Sequence, residues 1–498
     1  MFTVDPQTLT ISERINNAFE PVVNFLENVF FWDPVKAIGI DIEAKVPIVV
    51  LWLVLGGIFF TFRMKFINIR AFNHAFALIR GKYDKPGARG EVSHFQALTT
   101  ALSATVGLGN ITGVAIAIAV GGPGATFWMI IAGFFGMSLK FTECTLGIKY
   151  RHIDEKGRVS GGPMYYLNMA LKKRRLGAIG KVLALFSAVM MVLASFGGSD
   201  MLQSNQSFAQ FTTIFPAMES YGFWFGVILS ILIGIVVIGG IRSIARVTSR
   251  LVPFMSFLYI GAALVIIFMN FSKIDEVFAL IFKSAFDPVA VKGGIIGVII
   301  TGFRRGAFSN EAGVGSAAVA HAAARTDEPV KEGIVAMLEP FIDTILICTM
   351  TSLVIIFTGF HESTAGLEGT EITSAAFKSV FPWFPYLLVV AILCFAFSTM
   401  ISWSYYGLNG FKFLFEKYIF HISGSKNLTS YIYYSIFLFF TIVGASSTLD
   451  NVIAFSDMMV LTLAFPNITG LLILAPEVAR DMKDYMRRYR QGLVKRYR

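Results

Sequence analysis

Two apolar stretches of the chain contain glycine and polar residues where a continuous membrane helix would have neither. The first interruption is "VGLGN" (106–110) and the second is "GAFSNEAGVG" (306–315). An unpaired backbone group in hydrocarbon costs several kcal/mol, so irregular backbone is tolerated there only where it is buried in protein or lines a cavity. We interpret both segments as breaks in membrane-spanning helices that form a binding site. The alternative is that the glycines only allow close helix packing.

The first break offers groups that suit both a cation and an anion. Free carbonyls near Ser103 and Val106, at the end of the inner half-helix, suit a cation. Asn110 is a good N-cap residue for the outer half-helix, whose free amides and positive dipole end suit a carboxylate. The sequence therefore predicts a site where a small charged ligand meets exposed backbone.

The second break is expected to complete that site from the opposite side. Carbonyls around Ala307 and Phe308 could receive an ammonium group, while Asn310 and Glu311 would cap the following half-helix. Amides on one side and carbonyls on the other suit a zwitterion, which favours a free amino acid as the ligand.

Adjacent hydroxyl residues lie in the middle of another apolar segment, "FAFSTMISWSYYG" (395–407). Ser398 and Thr399 could hydrogen-bond to carbonyls of the preceding helical turn, as Ser and Thr often do. Alternatively, these two hard oxygen donors could face the carbonyls of a broken helix and bind Na⁺. The sequence leaves both interpretations open.

Ionisable residues within membrane segments are functional candidates by default, although mutual pairing between helices is the alternative for each of them. The acids in or near apolar segments are Glu143, Asp200, Glu311, Glu339 and Asp343. Arg304 and Arg305 directly precede the second break and could help to gate an outer vestibule, and Gln203 is a possible polar contact to the pocket. His321 receives no predicted role.

The composition excludes a water-soluble protein of this size. Of the 498 residues, 55% are hydrophobic and 49 are phenylalanine, which is more apolar surface than a soluble domain can bury. The net charge of +10 does not indicate nucleic-acid binding, because the basic residues cluster in particular loops, as the positive-inside rule predicts for cytoplasmic segments. Three widely spaced cysteines indicate neither a disulfide framework nor a zinc site.

The hydropathy pattern predicts an all-α polytopic membrane protein with eleven transmembrane helices. The predicted spans cover 47–64, 94–119, 123–148, 181–204, 222–240, 251–271, 290–314, 334–358, 385–412, 430–447 and 454–474. An odd number of spans places the acidic N-terminal segment (1–46), with one amphipathic helix over 10–31, outside. The basic tail (475–498) is then cytoplasmic.

Aligning each residue with the one 200 positions later indicates an internal repeat. Asn110 then matches Asn310, Gly113 matches Gly313, and two further identities follow. Because the two broken spans are predicted to run in opposite directions, we expect a first repeat over 94–271 and an inverted second repeat over 290–474, each of five helices. The span at 47–64 is an extra helix before this repeat.

Several long motifs, in this order, resemble the alanine or glycine:cation symporter family of prokaryotes. They are "FQALTTALSATVGLGNITGVA", "GGPGATFWM", "GMSLKFTECTLGIKYR", "GGPMYYL", "RRGAFSNEAGVGSAAVAHAAA" and "ISWSYYG". "VGLGN" also looks like the broken first helix of the bacterial leucine-transporter fold. This resemblance implies a sodium site formed by Ser103, Val106, Ser398 and Thr399. It also implies contacts to the substrate from Thr105, Gly107, Leu108, Gly109, Phe308, Ser309, Asn310 and Trp403, with Asn110 a further candidate.

The resemblance implies import of L-alanine or glycine with Na⁺ across the prokaryotic plasma membrane, by alternating access and without an organic cofactor. A proton-coupled symporter is the closest alternative, with Glu311 or Asp343 as proton carriers. An ion channel would favour a continuous polar pore, whereas polar residues here concentrate at two breaks. An enzyme would need a nucleophile and base, or metal ligands, inside the spans, and the sequence offers neither arrangement.

Overall fold

The chain folds into a bundle of apolar helices with one small hairpin. The computed structural model describes residues 27–38, 45–287, 294–362, 369–446 and 458–497, and also positions 21, 24, 25 and 367. Most of the predicted amphipathic helix over 10–31 lies outside the described residues. The hairpin joins two short antiparallel strands, β1 (His152–Ile153) and β2 (Val159–Ser160), in which His152 pairs with Ser160.

Thirteen helices lie in the described residues of the first half of the chain. They are α1 (Pro34–Ala37), α2 (Ile48–Arg63), α3 (Ile67–Arg70), α4 (Phe72–Ile79), α5 (His94–Thr105), α6 (Thr112–Gly121), α7 (Ala125–Lys149), α8 (Pro163–Lys173), α9 (Gly177–Phe196), α10 (Leu202–Ile214), α11 (Gly222–Val237), α12 (Gly240–Met269) and α13 (Ile274–Ala285). Short 3₁₀ segments cover Leu108–Asn110, Pro216–Tyr221 and Phe271–Lys273, and a π-helical turn covers Gly197–Met201.

The second half continues the same architecture. Its helices are α14 (Gly294–Asn310), α15 (Ala317–Ala322), α16 (Pro329–Ala336), α17 (Leu338–Pro340), α18 (Thr349–Phe357), α19 (Thr370–Lys378), α20 (Phe384–Ser423), α21 (Lys426–Ser446) and α22 (Ala464–Arg490). A π-helical segment, Phe341–Cys348, joins α17 to α18. This π-helical segment is a candidate functional region, because π-helical segments change the direction of side chains and occur frequently at functional positions.

Within the described residues, each predicted span falls on one helix or on consecutive helices. Eight continuous helices within the described ranges are long and apolar enough to cross a membrane, and the bent pair α5/α6 makes a possible ninth. The two remaining predicted spans correspond to α2, with 16 residues, and α14, with 17. The count of eleven, the inverted relation of the halves and the division into segments stay predictions.

Two helices extend beyond their predicted ends. The helix α20 continues past 412 to Ser423, and α22 continues past 474 to Arg490, so most of the predicted basic tail is helical. In α22 the polar continuation is held by ion pairs, including Lys149 with Glu477 at 2.8 Å. Hydropathy alone does not register such contacts between distant segments.

The packing distinguishes a protein-facing interior from an apolar exterior. The helix α7 lies at the centre and is mostly buried, whereas α11 and α12 leave large apolar side chains uncovered. Phe257 on α12, for example, exposes 81% of its surface, and Ile235 on α11 exposes 70%. Such a surface is stable in lipid rather than in water, which agrees with a multi-pass membrane protein.

Several basic loops meet at one end of the molecule, which we call the basic face and define by Arg89, Arg151, Arg325 and Arg488. The Arg151 guanidinium donates four hydrogen bonds of 2.6–2.8 Å to carbonyls of the segments at 89 and 322–326. Arg488 makes a two-pronged pair with Glu328 at 2.9 and 3.0 Å. Basic segments from distant parts of the sequence therefore share one face, as the positive-inside pattern requires of loops on one side of a membrane.

Candidate functional site between the two helix breaks

The first predicted break is present where the sequence places it. Helix α5 ends at Thr105, a 3₁₀ turn follows at Leu108–Asn110, and α6 leaves at an angle of 63°. The Gly107 amide donates to Asn110 Oδ1 at 2.8 Å, so this side chain closes the break. The prediction that Asn110 caps the outer half-helix is wrong, because α6 begins at Thr112 and its N-cap position is Ile111.

The second break begins five residues later than predicted. Helix α14 continues through Ala307 and Phe308 to Asn310, since no residue from 307 to 310 stops a helix. The chain turns at 311–316, where Glu311, Gly313 and Gly315 adopt positive φ values of 51°, 90° and 89°. The Ala307 carbonyl accepts the Glu311 amide at 3.0 Å and is therefore not the free acceptor that the sequence indicated.

Asn310 and Glu311 also do not cap the following half-helix, whose N-cap position is Ser316. Asn310 Oδ1 accepts the Ala312 amide at 2.9 Å, and Glu311 accepts the Ser316 hydroxyl at 2.5 Å. Both side chains hold the turn itself. Glu311 is one of four described non-glycine residues with positive φ, a backbone state that costs free energy and concentrates at functional sites.

Asp343 links the first break to the last turn of α14, directly before the second break. Its carboxylate accepts hydrogen bonds from Asn110 Nδ2 at 2.7 Å, from Ser309 Oγ at 2.7 Å and from Thr344 Oγ1 at 2.8 Å. Asn310 Nδ2 donates to Thr344 Oγ1 at 3.0 Å. The two asparagines that the repeat aligns thus bond to neighbouring residues of one π-helical segment, and a buried carboxylate lies where the broken helices meet.

Side chains of other helices lie close to the backbone of the first break. A Cβ atom added to Gly107 would lie 3.1 Å from Thr399 Oγ1 and 3.7 Å from Gln203 Nε2, and one added to Gly109 would lie 3.8 Å from the Phe308 ring. Gln203 is buried, and its Oε1 has no hydrogen-bond partner among the described residues. The structure thus brings Gln203 and Phe308 to the break, as the sequence and the resemblance indicated.

The two hydroxyl groups on α20 make different contacts. One bonds to its own helix, and the other reaches the end of the first half of the broken helix. Thr399 Oγ1 donates to the Ser103 carbonyl at 3.0 Å, so it contacts the last turn before the first break. Ser398 Oγ donates to the Phe395 carbonyl of its own helix at 2.9 Å. Ser103 Oγ contacts Ser402 Oγ. Thr399 and Ser103 therefore lie together as expected, whereas the Ser398 hydroxyl bonds to its own helix.

The other residues implied by the resemblance lie in or near the same region, with varied roles. Thr105 and Leu108 are buried within the first break. Val106 lies at the end of α5, where its amide donates to the Leu102 carbonyl at 2.7 Å. Trp403 is fully buried, its ring packs on Tyr406, and its Nε1 has no hydrogen-bond partner among the described residues. Arg304 and Arg305 are half-buried on α14.

Buried charged residues that sequence reasoning left without a partner acquire neighbours in the fold. Lys140 on α7 donates to Glu339 at 2.8 Å and lies 3.8 Å from Glu143. Asp200, on the other π-helical turn, accepts the Thr441 hydroxyl at 2.8 Å. The sequence analysis missed Lys140, and it also missed Asp343 as a contact of both breaks. In the sequence, the signal for both residues is a charged residue within an apolar span, which does not identify its partner.

Comparison with known proteins places the chain in a family. The sodium:alanine symporter family profile matches residues 36–498. The chain belongs to this family. The sodium/alanine symporter AgcS of Methanococcus maripaludis is 38% identical over 474 residues, covering 94% of this chain and 97% of that protein. The probable sodium/glutamine symporter GlnT of Bacillus subtilis is 35% identical over 449 residues, covering 89% of each chain.

The solved structure of MhsT in complex with L-phenylalanine shares the fold. It aligns with a TM-score of 0.53 and 16% sequence identity, covering 80% of this chain and 99% of that one. The chain therefore has the leucine-transporter-type fold that "VGLGN" indicated. Family and fold together make it a multi-pass membrane transporter and a cation-coupled amino-acid symporter.

Proposed function

We propose that the chain imports a small neutral amino acid, L-alanine or glycine, together with Na⁺ by alternating access. The observation that carries this proposal is the meeting of two interrupted helices at one buried carboxylate, with Asn110 and Ser309 both donating to Asp343 at 2.7 Å. Interrupted helices of this kind form ligand sites in secondary transporters, because their ends offer unpaired backbone groups away from water.

The amino-acid backbone is proposed to bind along Thr105–Gly109. Amides of the break suit a carboxylate, and the unpartnered Gln203 Oε1 can accept a hydrogen bond from an ammonium group, while Asp343 supplies a negative charge beside the break. Ser309 and Asn310 then contribute from α14. One site can therefore interact favourably with both charges of a zwitterion.

We infer a small substrate because side chains of other helices lie close to Gly107 and Gly109. Thr399 leaves only 3.1 Å for a Cβ at Gly107, and the Phe308 ring lies 3.8 Å from a Cβ at Gly109. We propose that Phe308, with Trp403, limits the side-chain pocket to a hydrogen or a methyl group. This assignment favours alanine and glycine over glutamine, the substrate in the name of one relative.

The coupling ion is proposed to bind between the end of α5 and the middle of α20. The ligands would be carbonyls of Ser103 and Val106 with the Thr399 hydroxyl, and Ser398 would join them after its hydroxyl rotates away from Phe395. Oxygen ligands of this kind suit a hard cation. One Na⁺ crossing ~100 mV supplies about 2.3 kcal/mol. A tenfold Na⁺ gradient adds about 1.4 kcal/mol, and the total sustains roughly a 500-fold amino-acid gradient.

Proton coupling is kept as a second candidate because of one observation. Asp343 and Glu311 are both buried and both lie at the breaks, so either could carry a proton in place of a cation. We favour Na⁺ because Thr399 and the Ser103 carbonyl are already in contact.

Thr399→Ala is expected to raise the Na⁺ concentration that gives half-maximal uptake by about tenfold, since it removes one ligand of a charged species. Ser398→Ala is expected to raise it less, because that hydroxyl bonds to its own helix. The matched control is Ser404→Ala, whose buried hydroxyl donates to the Ile401 carbonyl at 2.7 Å on the same helix. The measurement is alanine uptake into proteoliposomes against external Na⁺. Equal Na⁺ dependence in Thr399→Ala and Ser404→Ala would remove α20 from the ion site.

A further inference from the structure

A row of alternating carboxyl and imidazole groups leads from the basic face into the protein. His94 Nε2 lies 3.7 Å from Asp84 Oδ1, and His94 Nδ1 contacts Glu332 Oε2. His321 Nδ1 lies 2.5 Å from Glu332 Oε1, and His321 Nε2 lies 3.9 Å from Glu339 Oε2. The Asp84 side chain is 40% exposed, whereas the other four are buried. None of these residues belongs to the proposed substrate or ion site.

Both imidazoles use both ring nitrogens toward carboxyl groups. A histidine that only holds two helices together needs one such contact, but a histidine that passes a proton needs an acceptor on each side. The two outer links are longer than a hydrogen bond, and Asp84 Oδ1, His321 Nε2 and Glu339 Oε2 have no hydrogen-bond partner among the described residues. At the centre of the row, Glu332 therefore contacts both imidazoles. At each end, a gap longer than a hydrogen bond separates an imidazole from the next carboxyl group.

The buried charge in this region is not balanced without bound protons. Glu339 Oε1 lies 2.8 Å from Lys140 Nζ and Glu143 lies 3.8 Å from it, so two fully buried carboxyl groups share one ammonium group, while the fully buried Glu332 faces the two imidazoles. Because an isolated buried charge is very costly, some of these groups must carry protons. The other titratable groups facing the row are Arg151, Lys331, Cys144, Glu311, Asp343 and Tyr406.

The row also joins the parts of the two broken helices that end at the basic face. His94 is the first residue of α5, and His321 lies on α15, directly after the second break. The Glu91 amide donates to the Ala323 carbonyl at 2.8 Å beside them, so the two segments are in contact. Any movement that separates α5 from α15 would separate His94 from His321, so that Glu332 could no longer contact both imidazoles.

We propose that Asp84, His94, Glu332, His321 and Glu339 form a proton relay and binding site that opens to water at the basic face. A proton from water reaches the Asp84 carboxylate and passes to His94 Nε2, and His94 releases its Nδ1 proton to Glu332. Glu332 passes a proton to His321 Nδ1, and His321 releases its Nε2 proton to Glu339. One proton thus moves from water to Glu339, and passage in the reverse direction restores the starting tautomers.

The test follows the imidazoles by nuclear magnetic resonance in ¹⁵N-histidine-labelled full-length protein in lipid nanodiscs, which needs no transport and no substrate. The chain has six histidines, so each signal can be assigned from the variant that lacks it. In a relay the two imidazoles titrate as a pair. His321→Gln is expected to move the titration midpoint of His94 by about one pH unit, and His94→Gln is expected to do the same to His321.

The matched control is His74→Gln, which removes a buried histidine outside the row. His74 Nε2 lies 2.8 Å from Tyr485 Oη. Burial, together with Lys331 and Arg496, lowers the pKa of His74 to about 4, so it stays neutral in the range of the experiment. Its removal is expected to leave both midpoints unchanged. Independent titration of His94 and His321 in otherwise folded variants would overturn the relay.

A second variant keeps the test decisive if the buried substitutions fail to fold. Asp84→Asn changes a partly exposed side chain in a loop and is expected to move the His94 midpoint, because the variant removes the charge 3.7 Å from its Nε2. An unchanged His94 midpoint would contradict the proposed entry point. Since these measurements are made without substrate, loss of the relay and loss of the proposed sodium symport are separate results.

Discussion

Replacing Asp343 by asparagine is expected to reduce gradient-driven alanine uptake by about 100-fold, because the variant loses the charge from hydrogen bonds that hold both breaks. Asn110 and Ser309 each donate to this carboxylate at 2.7 Å, so their alignment depends on one side chain. The volume of the residue hardly changes, so the variant is expected to fold. Uptake into proteoliposomes, normalised to the amount of folded protein, is the measurement.

The matched control for this prediction is Asp200→Asn. Asp200 is also a buried acid in a π-helical turn, but its described hydrogen-bond partner is the Thr441 hydroxyl on α21, which belongs to neither break. We expect it to retain most of the uptake. If Asp343→Asn transports as well as Asp200→Asn does, the carboxylate between the breaks is structural and the proposed site is wrong.

Gly107→Ala is expected to weaken alanine binding by about 30-fold, since the added methyl group occupies the space where the substrate meets the backbone. The new Cβ would lie 3.1 Å from Thr399 Oγ1 and 3.7 Å from Gln203 Nε2, which also places it against the proposed ion ligand. Equilibrium binding of labelled alanine in the presence of saturating Na⁺ measures the effect directly.

The control comes from the same broken helix. Gly113, on α6, has open space where a Cβ would point, with no atom within 4 Å, so Gly113→Ala is expected to bind alanine normally. Loss of binding in both variants would indicate a general effect on this helix. Normal binding in Gly107→Ala would place the substrate elsewhere.

The first break could be predicted from sequence because its cause is local. Two glycines and an asparagine within "VGLGN" permit irregular backbone, and the structure interrupts the helix there. The second break is less well defined by composition. "GAFSN" continues as helix, and the chain turns only where Glu311 and two later glycines take positive φ. A glycine at 306 marked a possible break without requiring one.

Sequence reasoning missed the partners of those residues whose role depends on distant contacts. Asp343 reaches both breaks through a π-helical segment, and hydropathy contains no signal for that widened turn. His94, His321 and Glu332 come from three helices and meet only after the broken helices pack together. Each appears in the sequence as a single polar residue in an apolar context, which indicates a candidate but not its partners.

The shared fold and the family constrain function to different degrees. The leucine-transporter-type fold accounts for the broken helices, while membership of the sodium:alanine symporter family accounts for cation-coupled amino-acid transport. Neither determines the substrate, because the relatives carry names with different amino acids. We propose that Gly107, Thr399 and Asp343 determine the substrate and the ion in this chain.

The most direct test of the central claim is uptake of labelled L-alanine into proteoliposomes under an imposed Na⁺ gradient or an imposed H⁺ gradient. Unlabelled glycine and glutamine would be added as competitors. We predict that the Na⁺ gradient alone drives accumulation, and that glycine competes while glutamine does not. Uptake driven by the H⁺ gradient and indifferent to Na⁺ would contradict the account and transfer coupling to the buried acids at the breaks.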